Sequence, residues 1–490
     1  MITRIACCAI FTVLLSPKGD AQRSALVDRV ESARTSKSLK HAQWSVYAAS
    51  AEGGDAVIDL NSEKILAPAS CLKLVTTAVG VEVFGEEYKF QTRLCYDGTL
   101  DRTGVLKGNI YIVGGGDPTL GSDLTPGSQG LDSLMDGWVH AIRAIGILRI
   151  EGAVLSDDFA FDRVPIPDNW FWIDIGNYYA TSTSALSIHD NLYRLYFKPG
   201  RRVGDPAEVL RTEPVVPGLT FVNHMKTGRE GSGDNGYIYC APDQWKAVLR
   251  GTIPAGAEEF DIKGSIPDPP LFAAQALTGS LIRAGVSVTG TPARLNAKRS
   301  YDNAPVIVTT FSPPLKEIIT IINKRSFNLY AEQLLKAIGL QKLGEGSTEK
   351  GIEAIEGELE RLEVNTEGMQ LADGCGLART NGITTRTIVE LLLAMKRSPR
   401  FEAYYRSLSV AGDSTDIGYF KEFGRGTEVQ YNARIKSGSI QGVRSYSGYV
   451  HDTSGRLIAF SLIANNYAGR GSEVDAIHKE IIQELARLQR

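Results

Sequence analysis

The chain has 490 residues, 43% of them hydrophobic and 22% charged, which suits two or three domains with sizeable cores and excludes a disordered protein. A formal net charge of -3, with no long basic run, gives no electrostatic reason to expect nucleic acid as a partner. The six histidines show no metal-ligand spacing and no G-x-S-x-G elbow occurs, so zinc-hydrolase and α/β-hydrolase chemistry lack support.

At the N-terminus, Arg4 precedes an apolar stretch from Ile5 to Leu15 and then Ser16-Pro17-Lys18-Gly19-Asp20-Ala21. This pattern predicts a secretory signal over residues 1–21, too short to span a membrane. A secreted, periplasmic protein without a transmembrane segment in its mature chain is the expectation. Cys7 and Cys8 lie inside the apolar stretch and leave with it. Cys71, Cys95, Cys240 and Cys375 remain, and an oxidising compartment allows three disulfide pairings among them.

Periodicity predicts a helix over 24–33, a strand, a Gly53-Gly54 turn and a second strand over 42–61, and then a helix opening at Ser70. Strands follow over 88–96 and 105–113, a helix over 131–144, strands over 149–156, 191–197 and 236–240, and a helix over 270–284. Further helices are expected over 313–324, 328–338, 346–362 and 384–396. An antiparallel meander over 431–440, 444–451 and 457–465 comes next, closed by a helix over 474–488.

Within this order stand three short motifs: Ser70-Cys71-Leu72-Lys73, Ser326-Phe327-Asn328 and Lys436-Ser437-Gly438. Residues three apart at a helix start share a face, so the Lys73 amine reaches the Ser70 hydroxyl and can serve as its general base. An ammonium cannot accept a proton, and burial together with the nearby cation Lys436 favours the neutral amine. Ser326 and Asn328 are expected to hold that amine and relay its proton to the leaving group. Lys436, on an edge strand, supplies charge to a substrate carboxylate, with hydroxyls from Ser437 and Ser439, while Gly438 leaves room for substrate backbone. The amides of Ser70 and Ser439 are the natural oxyanion-hole pair.

Each motif is weak alone, because two of them recur. Ser347-Thr348-Glu349-Lys350 repeats the first in a Gly-rich polar turn, whereas Ser70 is followed by Leu72, Leu74, Val75, Ala78 and Val79. Lys226-Thr227-Gly228 repeats the third in what reads as a solvated turn, whereas Lys436 lies in a strand. Cys71 adjoins Ser70 but points to another helix face, so it reads as a buried small hydrophobe. Gly114-Gly115-Gly116-Asp117-Pro118 lacks the Gly-Lys-Ser/Thr of a phosphate loop and reads as a tight turn. Glu353, Glu356, Glu360 and Glu363 mark a solvated helix face.

About 250 residues separate Lys73 from Ser326, far more than two neighbouring elements of one site need. The expected fold is therefore α+β: a catalytic domain made of residues 22–90 and 300–490, an antiparallel sheet flanked by helices, interrupted by an α+β insert over 91–299 with one or two subdomains.

The ordered motifs, the insert and the leader resemble the D-alanyl-D-alanine carboxypeptidase/endopeptidase family, the class C low-molecular-mass penicillin-binding proteins. Supporting stretches are Pro68-Ala69-Ser70, Gly114 to Leu120, Ala331-Glu332 after the second motif, Asp373 to Asn381, and Lys436 through Tyr449. The resemblance implies a penicillin-binding-protein/β-lactamase-like catalytic domain and no cofactor. It implies acylation of Ser70 by the penultimate D-Ala of a peptidoglycan stem peptide, with β-lactams as mimics. It also implies that Asp174 and Tyr179, within the aromatic cluster Trp170 to Tyr179, line a pocket for the stem's amino-bearing side chain, with Ile440 and Gln441 as its other wall. Two residues depart from the family pattern: Ser437 replaces threonine, and Cys375 replaces the serine of Asp-Gly-Ser-Gly-Leu.

Two other readings compete. A β-lactamase shares the chemistry, but the E-x-x-L-N element of class A enzymes is not found between Asn328 and Lys436. A non-catalytic peptidoglycan-binding protein of the same fold would not need every proton-handling residue in place.

Overall fold

The computed structural model describes residues 17–489, so the predicted signal over 1–21 lies mostly outside the described residues. No helix among the described residues is long and apolar enough to cross a membrane. Six antiparallel strands form the central sheet, in the order 409–410, 434–440, 443–451, 457–465, 43–50 and 56–60. Both ends of the chain thus meet in one sheet, because strand Gln43–Ser50 pairs with strand Leu457–Asn465.

That sheet is covered on both faces. Strand Leu457–Asn465 is buried at every position, the continuous apolar run expected of a strand with helices above and below it. Its Ile458, Phe460 and Leu462 pack with Leu26 of helix Pro17–Arg34 and with Ile481, Ile482 and Leu485 of helix Gly471–Arg487. Ala459 and Ile463 face the other way, toward the nucleophile helix Lys73–Phe84 and the helices 315–324, 328–343, 348–361 and 385–397. The turn that holds Ser70 and the helix it opens lie on this second side.

The insert has its own core, from Leu94 to Val286, around helices Leu131–Ala144 and Pro269–Arg283. One part carries a five-stranded sheet in the order 293–294, 154–157, 110–113, 91–96 and 306–311, beside a small four-stranded one. The other part, 192–265, holds a three-stranded and a four-stranded sheet. Strand Val306–Phe311 pairs with strand Gln91–Tyr96, so the insert's hydrogen-bonded sheet runs past residue 299.

Three local expectations change. The segment 149–156 is two short strands, Arg149–Ile150 and Val154–Asp157, in different sheets. The segment 105–113 is two strands, Val105–Lys107 and Ile110–Val113, which join different sheets, and Gly108 between them lies too close to the Asp97 carbonyl for a side chain. Lys226–Gly228 is a short strand rather than a solvated turn. Its Thr227 is buried and accepts the Gly200 amide at 2.7 Å. Ser347 caps helix Thr348–Arg361 by accepting the Lys350 amide, an ordinary structural use of the duplicated first motif.

Candidate active site

Ser70 lies in a short 3-10 turn, Ala69–Leu72, which runs directly into helix Lys73–Phe84. Ala69 has φ +46°, a left-handed conformation costly for a residue with a Cβ, so the turn is held in place by its surroundings. Ser445 Oγ donates to the Pro68 carbonyl at 2.5 Å, and Cys71 Sγ donates to the Lys436 carbonyl at 3.3 Å. A Cβ on Gly376 would stand 1.9 Å from the Ala69 carbonyl, so only glycine lets that loop press on the turn.

The Lys73 amine is fully buried and meets three oxygens: Asn328 Oδ1 at 2.6 Å, the Cys375 carbonyl at 2.7 Å and Ser70 Oγ at 3.0 Å. Two of these can only accept. A neutral amine has two N–H groups, and donating both to Asn328 and Cys375 leaves its lone pair for the Ser70 hydroxyl proton. Burial holds the Lys73 pKa below the ordinary lysine range, against the pull of Cys375, Asp373 and Glu332.

Lys436 is also buried, and its Nζ donates to Ser326 Oγ at 2.9 Å and to the Ser437 carbonyl at 2.7 Å. Burial, and then repulsion from Lys73, bring its pKa down to about 7. Ser326 has φ +57°, a strained position between helices Leu315–Lys324 and Asn328–Leu343. The two lysines and two motif serines thus stand in one connected pocket of charge and hydroxyls.

Behind Lys73 sits a buried node. Asp373 accepts from the Gly376 amide at 2.7 Å, Asn381 Nδ2 at 2.8 Å, the Ala378 amide at 2.6 Å and Trp170 Nε1 at 2.9 Å. Glu332, Asp373 and Cys375 bring ligand-type atoms within 4.8 Å of one another. The donors around Asp373 occupy both its oxygens, so the cluster shapes the loop that carries the Cys375 carbonyl rather than offering a cation site. Cys375 meets Lys73 through its backbone carbonyl, which any residue would supply. Burial pushes the thiols of Cys71 and Cys375 up, Cys375 well above its ordinary value, and all four remaining cysteines are free.

A cavity of about 460 Å³ opens over Ser70, lined by Ser326, Asn328, Ser439, Ile440, Gln441, Asp174 and Tyr179. Most of the sequence-derived site residues therefore meet in one place. Phe171, Trp172, Ile173 and Tyr178 are exposed, so the aromatic cluster is a wall and not an interior core. Burial lifts the Asp174 carboxyl, which the Tyr179 phenol and the Arg379 guanidinium draw back. Ser437 and Gly438 do not line the cavity. A Cβ on Gly438 would stand 2.2 Å from Ser445 Oγ, 2.7 Å from the Pro68 carbonyl and 2.9 Å from the Ser70 amide, so this glycine makes room for the turn that carries Ser70.

Four lining residues were not singled out from the sequence: Tyr237, Arg325, Leu377 and Arg379. Arg325 adjoins the second motif, and Leu377 and Arg379 lie inside the quoted stretch Asp373 to Asn381, so all three could have been found there. Tyr237 comes from strand Asn235–Tyr239 of the insert, and no local pattern marks it.

The chain matches the D-Ala-D-Ala carboxypeptidase 3 (S13) family over residues 26–488. It is 28% identical to the D-alanyl-D-alanine carboxypeptidase of Actinomadura sp. (strain R39), over 93% of this chain and 84% of that one. Identity to the D-alanyl-D-alanine carboxypeptidase DacB of Haemophilus influenzae is 22%, over 84% and 83%. The crystal structure of penicillin binding protein 4 (dacB) from Haemophilus influenzae superposes with a TM-score of 0.79 at 19% identity, covering 94% of this chain and 99% of that one. The same protein has been crystallised in complex with a β-lactam. With its catalytic-type serine, its two buried lysines and a match spanning both halves of the sheet, the chain belongs to the D-Ala-D-Ala carboxypeptidase 3 (S13) family.

Proposed function

We propose that this D-Ala-D-Ala carboxypeptidase acts on peptidoglycan stem peptides through an acyl-enzyme at Ser70. The observation that carries the reading is the Lys73 amine, held by two pure acceptors with its remaining direction open to Ser70 Oγ.

Neutral Lys73 takes the Ser70 proton as Oγ attacks the penultimate D-Ala carbonyl. The amides of Ser70 and Ser439 receive the developing oxyanion, worth about 3 kcal/mol per donor in comparable sites. The proton then passes through Ser326, held by Lys436, to the leaving nitrogen. Lys436, behind Ser326, meets the terminal carboxylate together with Ser439 on the cavity wall. D-Ala departs, and water releases the acyl group. Asp174 and Tyr179 receive the stem's amino-bearing side chain opposite Ile440 and Gln441, and Gly438 supports the turn from beneath.

The secretory leader and a periplasmic location belong to the same proposal, since the substrate lies outside the cytoplasm. β-Lactams enter as mimics of D-Ala-D-Ala, a reading supported by the β-lactam complex of the Haemophilus influenzae protein. Incubation with a fluorescent penicillin and with a stem pentapeptide tests the whole. The native chain should label covalently and release D-Ala, and Ser70→Ala should do neither. Persistent labelling of Ser70→Ala, or rapid turnover of the penicillin, would refute it.

A further inference from the structure

An aromatic strip runs outward from the mouth of the catalytic cavity. Tyr178 and Tyr237 line the cavity. Tyr237 and Tyr239, two apart on strand Asn235–Tyr239, share one face of it, with ring centroids 6.5 Å apart. The Tyr239 ring in turn meets Trp172 at 5.9 Å, tilted by 37°. Trp172 is 55% exposed, and Phe171, Tyr178 and Tyr237 are exposed as well. Neither Trp172 nor Tyr239 lines the cavity itself, so the strip reaches beyond the chemistry described above.

The strip is rigid, although two distant segments build it. Asn177 is buried, its Oδ1 accepts the Ile238 amide at 3.0 Å, and its Nδ2 donates to the Ile173 and Asp174 carbonyls at 2.9 and 3.1 Å. A Cβ on Gly176 would stand 2.4 Å from the Ile238 carbonyl, so glycine there lets the two segments touch. Exposed rings grouped in this way mark a contact surface, and a backbone fixed beforehand loses little freedom when a partner binds.

The direction of the substrate points to the partner. In the reading above, the penultimate D-Ala carbonyl lies at Ser70, and the amino-bearing side chain of the stem lies at Asp174 and Tyr179. The rest of the stem, and the glycan strand that carries it, therefore leave past the Asp174 wall, beside Phe171 and Trp172. Arg379 closes the rim there: it donates to the Gln441 carbonyl at 3.3 Å, and its guanidinium lies 4.4 Å over the Phe171 ring. A pyranose ring offers weakly positive C–H bonds on its face, which the negative face of an aromatic ring attracts, and carries its hydroxyls at the edge. The phenols of Tyr237 and Tyr239, with the Arg250 guanidinium 5.4 Å over the Tyr239 ring, bring hydrogen-bonding groups to the same strip.

We infer that Trp172, Tyr237 and Tyr239 form a platform for the amino sugars of the glycan strand, so that a stem peptide is a better substrate while it is still attached to its sugars. The inference rests on the function proposed above, and its test separates the two.

The full chain and its Trp172→Ala, Trp172→Phe and Tyr239→Ala variants are assayed on a free stem pentapeptide and on the same pentapeptide carried on its amino-sugar disaccharide, with penicillin labelling alongside. In the native chain KM should be about tenfold lower for the disaccharide-linked substrate, with kcat alike, because the sugars touch nothing at Ser70. Trp172→Ala and Tyr239→Ala should each raise that KM about fivefold, and Trp172→Phe, which keeps a ring, should restore most of the loss. Labelling and D-Ala release from the free pentapeptide should stay within about twofold of native. The exposed Trp172 can be truncated without touching a core, so it decides the matter if Tyr239→Ala does not fold. Equal KM for the two substrates in the native chain overturns the inference, whether or not the strip holds a second copy of the chain. An equal loss on both substrates in Trp172→Ala, or none on either, overturns it as well. A native chain that neither labels nor releases D-Ala from either substrate instead brings down the function on which it rests.

Discussion

The side-chain amide of Asn328 donates to the Tyr179 carbonyl at 2.7 Å, while its Oδ1 takes the Lys73 amine at 2.6 Å. One side chain thus joins the segment that carries Tyr179 to the Lys73 amine. The Tyr179 carbonyl can only accept, so it fixes which end of the Asn328 amide faces Lys73.

Asn328→Asp should reverse that logic. A carboxylate beside Lys73 favours the ammonium, and it repels the Tyr179 carbonyl at its other oxygen. Penicillin acylation near pH 7 should fall at least about tenfold, with partial recovery at higher pH as Lys73 loses its proton. Stopped-flow acylation from pH 6 to 10 checks both; unchanged rates would show that Asn328 does not govern the base.

The pH dependence of the native chain follows from the buried lysines. Burial lowers both pKa values, that of Lys436 to about 7, so each amine gives up its proton more readily than an exposed lysine. Acylation should decline as pH falls through the lowered Lys73 pKa, by about tenfold per unit once that amine is protonated. For stability, Lys436 has a folded pKa below its unfolded 10.5, so the unfolded chain binds more protons between about 7 and 10.5 and stability rises with pH across that window. Lys436→Met should flatten this slope in urea unfolding while abolishing acylation.

Glu332 has the opposite sign. Burial, followed by the Asp373 charge, lifts its pKa to about 8; Oε1 accepts the Gly374 amide at 2.9 Å and Oε2 has no partner. Its folded pKa exceeds its unfolded value, so its contribution is fully present below pH 4.5 and is lost as pH rises toward 8. Glu332→Gln keeps the acceptor for Gly374 and removes the titration. Its unfolding free energy relative to native should rise between pH 5 and pH 8, by up to about 1.4 kcal/mol per unit, as read by urea unfolding. A constant difference across that range would mean that Glu332 is not held protonated.

Gly438→Ala should cost acylation rather than substrate affinity. The added methyl meets Ser445 Oγ and also the Pro68 carbonyl and the Ser70 amide, and because the last two are backbone it must displace the turn that carries Ser70. A displacement of about 1 Å at a reacting atom can cost about 100-fold. The acylation rate constant should drop by that order with little change in non-covalent affinity for the penicillin. A pure affinity loss would place Gly438 against the ligand instead.

Legibility of the fold tracked burial. Helix Leu131–Ala144 and strand Leu457–Asn465 fall at the expected residues because each buries a strong apolar pattern. Strands Glu208–Glu213, Thr220–Asn223 and Lys246–Pro254 were not expected. The first is half charged and largely exposed, and the third is interrupted by Gly251, so pairing with neighbours defines them more than side-chain period does.

The sequence by itself determined the order of the three motifs, the buried helix behind Ser70, the strand under Lys436 and the presence of an insert. These are local patterns of polarity and spacing, and they survive in one dimension. Only the tertiary structure decided that two lysines would be buried together, that the Asn328 amide would be aimed by a carbonyl from the insert, and that Gly438 would serve the nucleophile turn. Each of these depends on atoms brought together from distant parts of the chain, and the direction of a lone pair or the space for a methyl exists only once they have packed.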